Sequence, residues 1–169
     1  LGAGTWIEET VAINAASGYT GTIELTGLLP DTQYEYQTLL NDLYPFNATF
    51  STLPDPVGFA GQTTFGMGTD VLHYEHPFSA LGHAAAKNYD FMLMIGDLMY
   101  VDTPGRPVVP NDAASYRGRY WNTWDDVHFS ALSSTTPMFM TWDDHEIIND
   151  YYPGIPGVDR YPAARSAFD

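Results

Sequence analysis

The chain of 169 residues contains no cysteine, has only 6 lysine and arginine residues, and lacks any long apolar run. Without cysteine it can form neither a disulfide framework nor a zinc knuckle, and it has no thiol nucleophile. The longest apolar stretch, residues 91–95, is far shorter than the roughly 20 apolar residues that cross a bilayer. The sequence therefore predicts no membrane-spanning helix.

Basic charge is scarce, whereas aspartate and glutamate number 21 and bring the formal net charge to −15. Binding to nucleic acid or to an anionic membrane depends on clustered lysine and arginine, so we expect neither as a partner. An anionic substrate would also be repelled unless bound cations reversed the local field. Most of the carboxylates are expected to keep the surface soluble, but those that follow apolar strands need a further explanation.

The composition is otherwise that of a folded protein, with 44% hydrophobic and 15% aromatic residues, which supports a packed core. The chain begins with Leu1 rather than methionine, and Asn47-Ala48-Thr49 forms a sequon that permits N-glycosylation in a secretory pathway. The absence of cysteine is compatible with secretion without indicating it. We interpret the protein as secreted or extracellular.

Residues 1–56 are predicted to form a β-sandwich module. Several short segments are rich in strand-forming residues or alternate apolar with polar side chains, namely residues 6–13, 21–28, 34–39 and 46–52. Strands at this spacing are typical of a sandwich. The phrase at residues 28–36 resembles the corner of fibronectin type III-like modules, in which a tyrosine braces a turn.

Residues 57–169 follow a proline-rich linker and show a different pattern. Apolar strands alternate with helices, which indicates an α/β sheet; the strands are predicted at residues 63–68, 91–95 and 137–142 and the helices at 77–87 and 115–132. A further helix is predicted to begin near Pro162. The chain stops just inside that helix, so we expect it to be a fragment.

Two polar clusters follow apolar strands of this region. One contains Asp97, Tyr100 and Asp102, and the other begins with Asp143-Asp144-His145-Glu146. Sites in α/β sheets lie at the carboxyl ends of the strands, so both clusters are expected to meet in one crevice.

Gathered carboxylates repel one another unless cations lie between them. Their oxygens favour calcium, magnesium or manganese, and a phenolate ligand favours ferric iron. A pair of metals stabilises the attacking and leaving oxygens in phosphoryl transfer, and Asp97 is placed to bridge such a pair. His145 could then contact a phosphate oxygen or protonate the leaving oxygen. Helix capping would account for Asp143 or Asp144 alone, but it does not account for the pair followed by His145.

Both clusters resemble the two motifs of PhoD-like alkaline phosphatases, which belong to the metallophosphoesterase superfamily, and residues 116–120 resemble the tyrosine- and arginine-rich helix between them. The resemblance implies an N-terminal sandwich followed by the first half of an α/β metallophosphoesterase domain. It implies metal ligation by Asp97, Tyr100, Asp143 and Asp144, with catalytic roles for Asp144 and for His145, the residue that contacts phosphate. The implied cofactors are calcium and possibly iron as metal ions, and the implied substrates are phosphate mono- and diesters.

Two features depart from that family. Members carry a cysteine iron ligand after the first catalytic strand, where this chain has no cysteine and offers Asp70 as an oxygen ligand. The remaining family motifs would lie beyond Asp169, so we expect the isolated chain to be inactive. One alternative is a non-catalytic relative that serves as a structural, calcium-binding or assembly protein, and another is an acidic adhesion or sugar-binding module.

Overall fold

The computed structural model of the chain describes residues 6–72, 76–102, 110–155 and 159–168. In this part of the chain there are two separate β-sheets, four α-helices and one short 3-10 helix at Ala15–Ser17. No helix in the described ranges has both the length and the apolar character that crossing a bilayer requires. The outer ends of the two predicted domains, residues 1 and 169, lie outside the described residues, and the division between residues 56 and 57 stays a prediction.

The first sheet is an antiparallel hairpin of β1 (Gln33–Leu40) and β2 (Leu43–Ser51), which confirms the two later strands predicted in this region. Asn41 and Asp42 form its turn with φ of 51° and 59°, the left-handed pair that a two-residue hairpin turn requires. The Tyr34 hydroxyl accepts the Leu29 amide proton at 2.7 Å. This bond is the tyrosine brace that the sequence predicted.

The strands predicted at residues 6–13 and 21–28 are wrong, because neither range contains a strand. Alternation predicts only which side chains would share a face, and a strand also needs a neighbouring backbone to bond. Trp6 is 75% exposed, so the first segment has little packing to hold it. The two segments do lie side by side, since a Cβ at Gly21 would come within 2.9 Å of the Val11 side chain. The fibronectin-like sandwich is therefore not confirmed.

The second sheet is parallel, with order β3-β4-β5, and it confirms the α/β prediction. Its strands are β3 (Phe65–Gly68), β4 (Phe91–Ile95) and β5 (Met138–Thr141). Helix α1 (Ser79–Ala85) connects β3 to β4. Parallel strands reach their next neighbour through such crossovers, so all three carboxyl ends lie along one edge.

The helix predicted over residues 115–132 is two helices, α2 (Ala113–Trp124) and α3 (Val127–Thr135). The prediction was wrong because Asp126 caps a new helix instead of continuing the old one: its carboxylate accepts the His128 and Phe129 amide protons. Aspartate at this position favours a helix start. The last helix, α4 (Tyr161–Phe168), begins where the sequence predicted it.

The core lies on one face of the parallel sheet. Met92 and Met94 point into it and are 2% and 1% exposed. They pack with buried side chains from the helices and from the loops after β4 and β5, including Leu98, Tyr116, Phe129, Leu132 and Ile147. The loops after β4 and β5 are thus anchored in the core, and this positions the polar residues that they carry.

Candidate metal centre

Asp97 lies directly after β4 in a sharp backbone turn. Gly96 has φ of +99° and Asp97 has φ of +53°, and the turn leaves Asp97 only 6% exposed. A Cβ on Gly96 would lie 2.5 Å from the Asp143 amide nitrogen. Glycine is required here because it adopts the positive φ readily and because it has no Cβ to clash with Asp143. The close approach brings the loop after β4 against the loop after β5.

The β5 loop turns back at Asp144, whose carbonyl accepts the Ile147 and Ile148 amide protons at 2.8 Å each. The turn brings His145 to Asp97, and the His145 amide donates to Asp97 Oδ1 at 3.2 Å. One potential ligand atom from each of Asp97, Asp144 and His145 lies within 4.8 Å of the other two. The two clusters therefore meet in one place, as the sequence predicted.

Tyr100 curls back to the same point. Its hydroxyl lies 2.5 Å from Asp70 Oδ1 and 3.2 Å from Asp97 Oδ2, and its ring stacks on that of His145 at 4.2 Å. Asp70 follows β3, so the ends of three strands contribute to the group. Burial, reinforced by the two carboxylates, raises the pKa of Tyr100, so the phenol keeps its proton and donates to the carboxylates.

The His145 ring is hydrogen-bonded to Asp102, whose Oδ1 lies 2.8 Å from His145 Nδ1. The second oxygen of Asp102 accepts the Asn149 amide proton at 2.7 Å, which fixes the carboxylate itself. Burial alone would lower the pKa of His145, but the hydrogen bond and charge of Asp102, with the charges of Asp97 and Asp144, raise it. Asp102 belongs to the first cluster, but no local pattern pairs it with a residue 43 positions away.

Asp143 stands apart from the other predicted ligands. Its side chain is exposed, and it is not part of the group formed by Asp97, Asp144 and His145. Asp144 is anchored, because one of its oxygens accepts the Asp150 amide proton. The geometry thus favours Asp144 over its neighbour as the inward-facing acid, and ligation by Asp143 stays a prediction.

The donor set fits a hard cation. The carboxylate oxygens suit calcium, and the phenol and the imidazole suit iron. Burial raises the pKa of Asp97, and the nearby Asp144 charge adds to the rise against the opposing His145 and Tyr100 contacts. A cation between the carboxylates would remove both penalties, since it compensates the desolvated charge and screens the like charges.

Comparison with known proteins indicates a phosphatase family. The family model described as PhoD-like phosphatase matches residues 69–168. Alkaline phosphatase D of Bacillus subtilis (strain 168) is 31% identical over 148 residues, covering 79% of this chain and 25% of that protein. The chain thus spans about a quarter of the length of this curated relative.

Solved structures share the fold. A structure of PhoD superposes with a TM-score of 0.82 at 25% identity, covering 91% of this chain and 33% of that chain. The purple acid phosphatase PPD1 from yellow lupin (Lupinus luteus) seeds superposes with a TM-score of 0.51 at 17% identity, covering 85% of this chain and 26% of that chain. The second similarity concerns the fold alone.

Proposed function

Because the chain belongs to the PhoD-like phosphatase family, we propose that it supplies part of a metal-dependent centre that hydrolyses phosphate mono- and diesters. The observation that carries the proposal is the convergence of Asp97, Asp144 and His145, whose potential ligand atoms lie within 4.8 Å of one another. Asp97 and His145 are 48 residues apart in the chain. Two separate strand ends have to meet to produce this group.

In this proposal Asp97, Tyr100 and Asp144 hold the metal ions, with Asp143 as a further ligand. Calcium suits the carboxylates, and iron suits the phenolate of Tyr100. Bound metal ions would neutralise phosphate charge and lower the pKa of an attacking water. The short contact between Tyr100 and Asp70 supports Asp70 as the oxygen ligand at the position where the family carries cysteine.

The protein's own residues bind and orient the ester. Asp102 fixes His145 Nδ1, which leaves Nε2 as the ring atom that can meet the substrate. A protonated imidazole there donates to a phosphate oxygen and then to the leaving oxygen. The hydrogen bond and charge of Asp102, with the charges of Asp97 and Asp144, raise the pKa of His145, which favours the protonated ring. Stacking on Tyr100 limits rotation of the ring, so the donor keeps its direction.

The proposal also concerns how much of the centre this chain supplies. Since it spans about a quarter of the curated relative, we expect the chain alone to bind metal without significant turnover. The test compares hydrolysis of p-nitrophenyl phosphate by the isolated chain and by the complete polypeptide that carries it. Metal-dependent turnover is expected only in the latter, and Asp144→Ala should abolish it. Wild-type turnover in that variant would refute the catalytic assignment of Asp144.

We also propose a domain organisation and a location for the protein. Residues 1–56 would form a fibronectin III-like sandwich module and residues 57–169 the N-terminal part of the catalytic domain, in a secreted or extracellular protein. The Tyr34–Leu29 brace and the adjacency of Gly21 and Val11 support the module. A non-catalytic, calcium-binding role is the alternative; the Asp102–His145 pair disfavours it, because a structural calcium site has no use for an oriented imidazole.

A further inference from the structure

Glu146 is a fully buried carboxylate, with 0% of its surface exposed, and the mechanism above does not use it. Its Oε1 accepts the Leu98 amide proton at 2.6 Å, and its Oε2 accepts the Asp143 amide proton at 3.1 Å. A buried carboxylate is costly unless its oxygens are bonded in this way. Both oxygens are committed to backbone donors, one on each of the two loops.

Each donor lies beside a proposed metal ligand, and Asp143 is itself proposed as a further ligand. Leu98 follows Asp97, and Asp143 precedes Asp144, so a single side chain fixes the backbone next to both acids. Where the loops approach each other, Gly96 places no side chain between them, and a Cβ there would come within 2.5 Å of the Asp143 amide nitrogen. The backbone beside Asp97 and the backbone beside Asp144 are thus joined through the two hydrogen bonds of Glu146.

We propose that Glu146 is a positioning residue that clamps the loop after β4 to the loop after β5 and sets the separation of Asp97 and Asp144 for a metal ion. The inference rests on the proposed metal centre. Glutamate is needed because each of its two oxygens accepts a hydrogen bond from a backbone N–H. Glutamine has the same shape but one acceptor, and its NH2 group would face the amide of either Leu98 or Asp143.

The test measures calcium binding to the chain by isothermal titration calorimetry, in the wild type and in Glu146→Gln. Partners that orient metal ligands typically contribute about 10- to 100-fold to metal affinity, and we expect a loss of that size. The matched control is Asp90→Asn at the opposite edge of the sheet. The Asp90 carboxylate accepts the Thr64 amide proton at 2.6 Å and its hydroxyl proton at 3.1 Å, which joins the amino ends of β3 and β4. This variant should bind calcium as the wild type does.

Amide hydrogen exchange provides a second measurement that needs no variant. It tests the proposal even if the Glu146→Gln protein does not fold. Binding and loop order are linked reciprocally, so calcium should slow exchange at Leu98 and Asp143 in the wild type more than at Thr64. Calcium that leaves those two amides unaffected would overturn the clamp.

The outcomes separate the two proposals. If the wild type binds no calcium, the metal centre itself is refuted. If the wild type binds and a folded Glu146→Gln binds equally well, the positioning role is refuted while the metal centre stands. An equal loss of calcium affinity in Asp90→Asn would also refute the positioning role of Glu146, because the loss would then follow from a general weakening of the sheet.

Discussion

Replacing Asp126 with alanine should cost more stability than any ordinary helix cap in this chain. Asp126 is 4% exposed. Its Oδ1 accepts the His128 and Phe129 amide protons at 2.9 and 3.0 Å, and its Oδ2 accepts the Phe78 amide proton at 3.1 Å. One carboxylate thus starts α3 and also ties it to the residue that precedes α1.

The magnitude follows from those bonds. Loss of the cap costs about 1 kcal/mol, and a buried backbone donor left without a partner, here at Phe78, costs about 1–3 kcal/mol. We expect Asp126→Ala to lower the free energy of unfolding by about 2–4 kcal/mol. Asp126→Asn keeps the cap oxygen but turns an NH2 group toward Phe78, so its loss should be intermediate.

The effect should depend on pH. Burial alone would raise the pKa of Asp126, but the bonds from the three backbone amides, with the nearby His76, outweigh it and leave the pKa below its usual value. The folded state therefore gains stability from the ionised carboxylate above about pH 4, and this gain is lost as the pH falls through the lowered folded pKa. The difference between wild type and Asp126→Ala should shrink at low pH.

Urea unfolding followed by circular dichroism checks both points, with Asp112→Ala as control. Asp112 caps α2 by accepting the Ser115 amide proton at 2.8 Å, but it does so at an exposed position, so its removal should cost less. The reasoning fails if Asp126→Ala and Asp112→Ala lose the same stability, or if the Asp126→Ala penalty is as large at low pH as at neutral pH.

Three further perturbations test the packing and the centre. Gly96→Ala forces a Cβ to within 2.5 Å of the Asp143 amide nitrogen at a positive φ, and it should lower the melting temperature by several degrees and weaken calcium binding in a titration. Tyr36→Phe removes the 3.0 Å hydrogen bond from that hydroxyl to the Ser134 carbonyl, and it should lower the free energy of unfolding by about 1 kcal/mol in urea. Burial raises the pKa of Asp97, so its protonated form supports the fold at low pH and this support is lost as the pH rises. Bound metal would compensate for that loss. Removing metal with a chelator should therefore lower the melting temperature more at about pH 8 than at pH 5. An equal chelator effect at both would contradict a clustered site.

Local sequence patterns predicted the α/β sheet and the meeting of Asp97, Asp144 and His145. The strands predicted at residues 91–95 and 137–142 are apolar runs that end in polar residues, and neighbouring strands of an α/β sheet bring such ends to one edge. The break between α2 and α3 was missed, because the aromatic spacing continues up to the acids and nothing local shows that Asp126 turns inward to reach Phe78.

The supports of the site could not be predicted, because they are bonds between residues far apart in the chain. Asp102 reaches His145 across 43 positions, and Glu146 reaches Leu98 across 48. From the sequence alone each is one more acid in an acidic protein. Strands at residues 6–13 and 21–28 were predicted wrongly for a related reason, since alternation indicates faces without supplying a neighbouring strand.

Calcium titration of the wild-type chain beside Asp97→Asn tests the central claim most directly. Asparagine keeps the shape of Asp97 and its contact to the His145 amide but removes the negative charge that faces the cation. Asp112→Asn, which changes an acid outside the centre, serves as control. The account predicts saturable binding in the wild type and in Asp112→Asn and its loss in Asp97→Asn. Binding by Asp97→Asn with wild-type affinity would contradict the placement of a metal centre at the ends of β4 and β5.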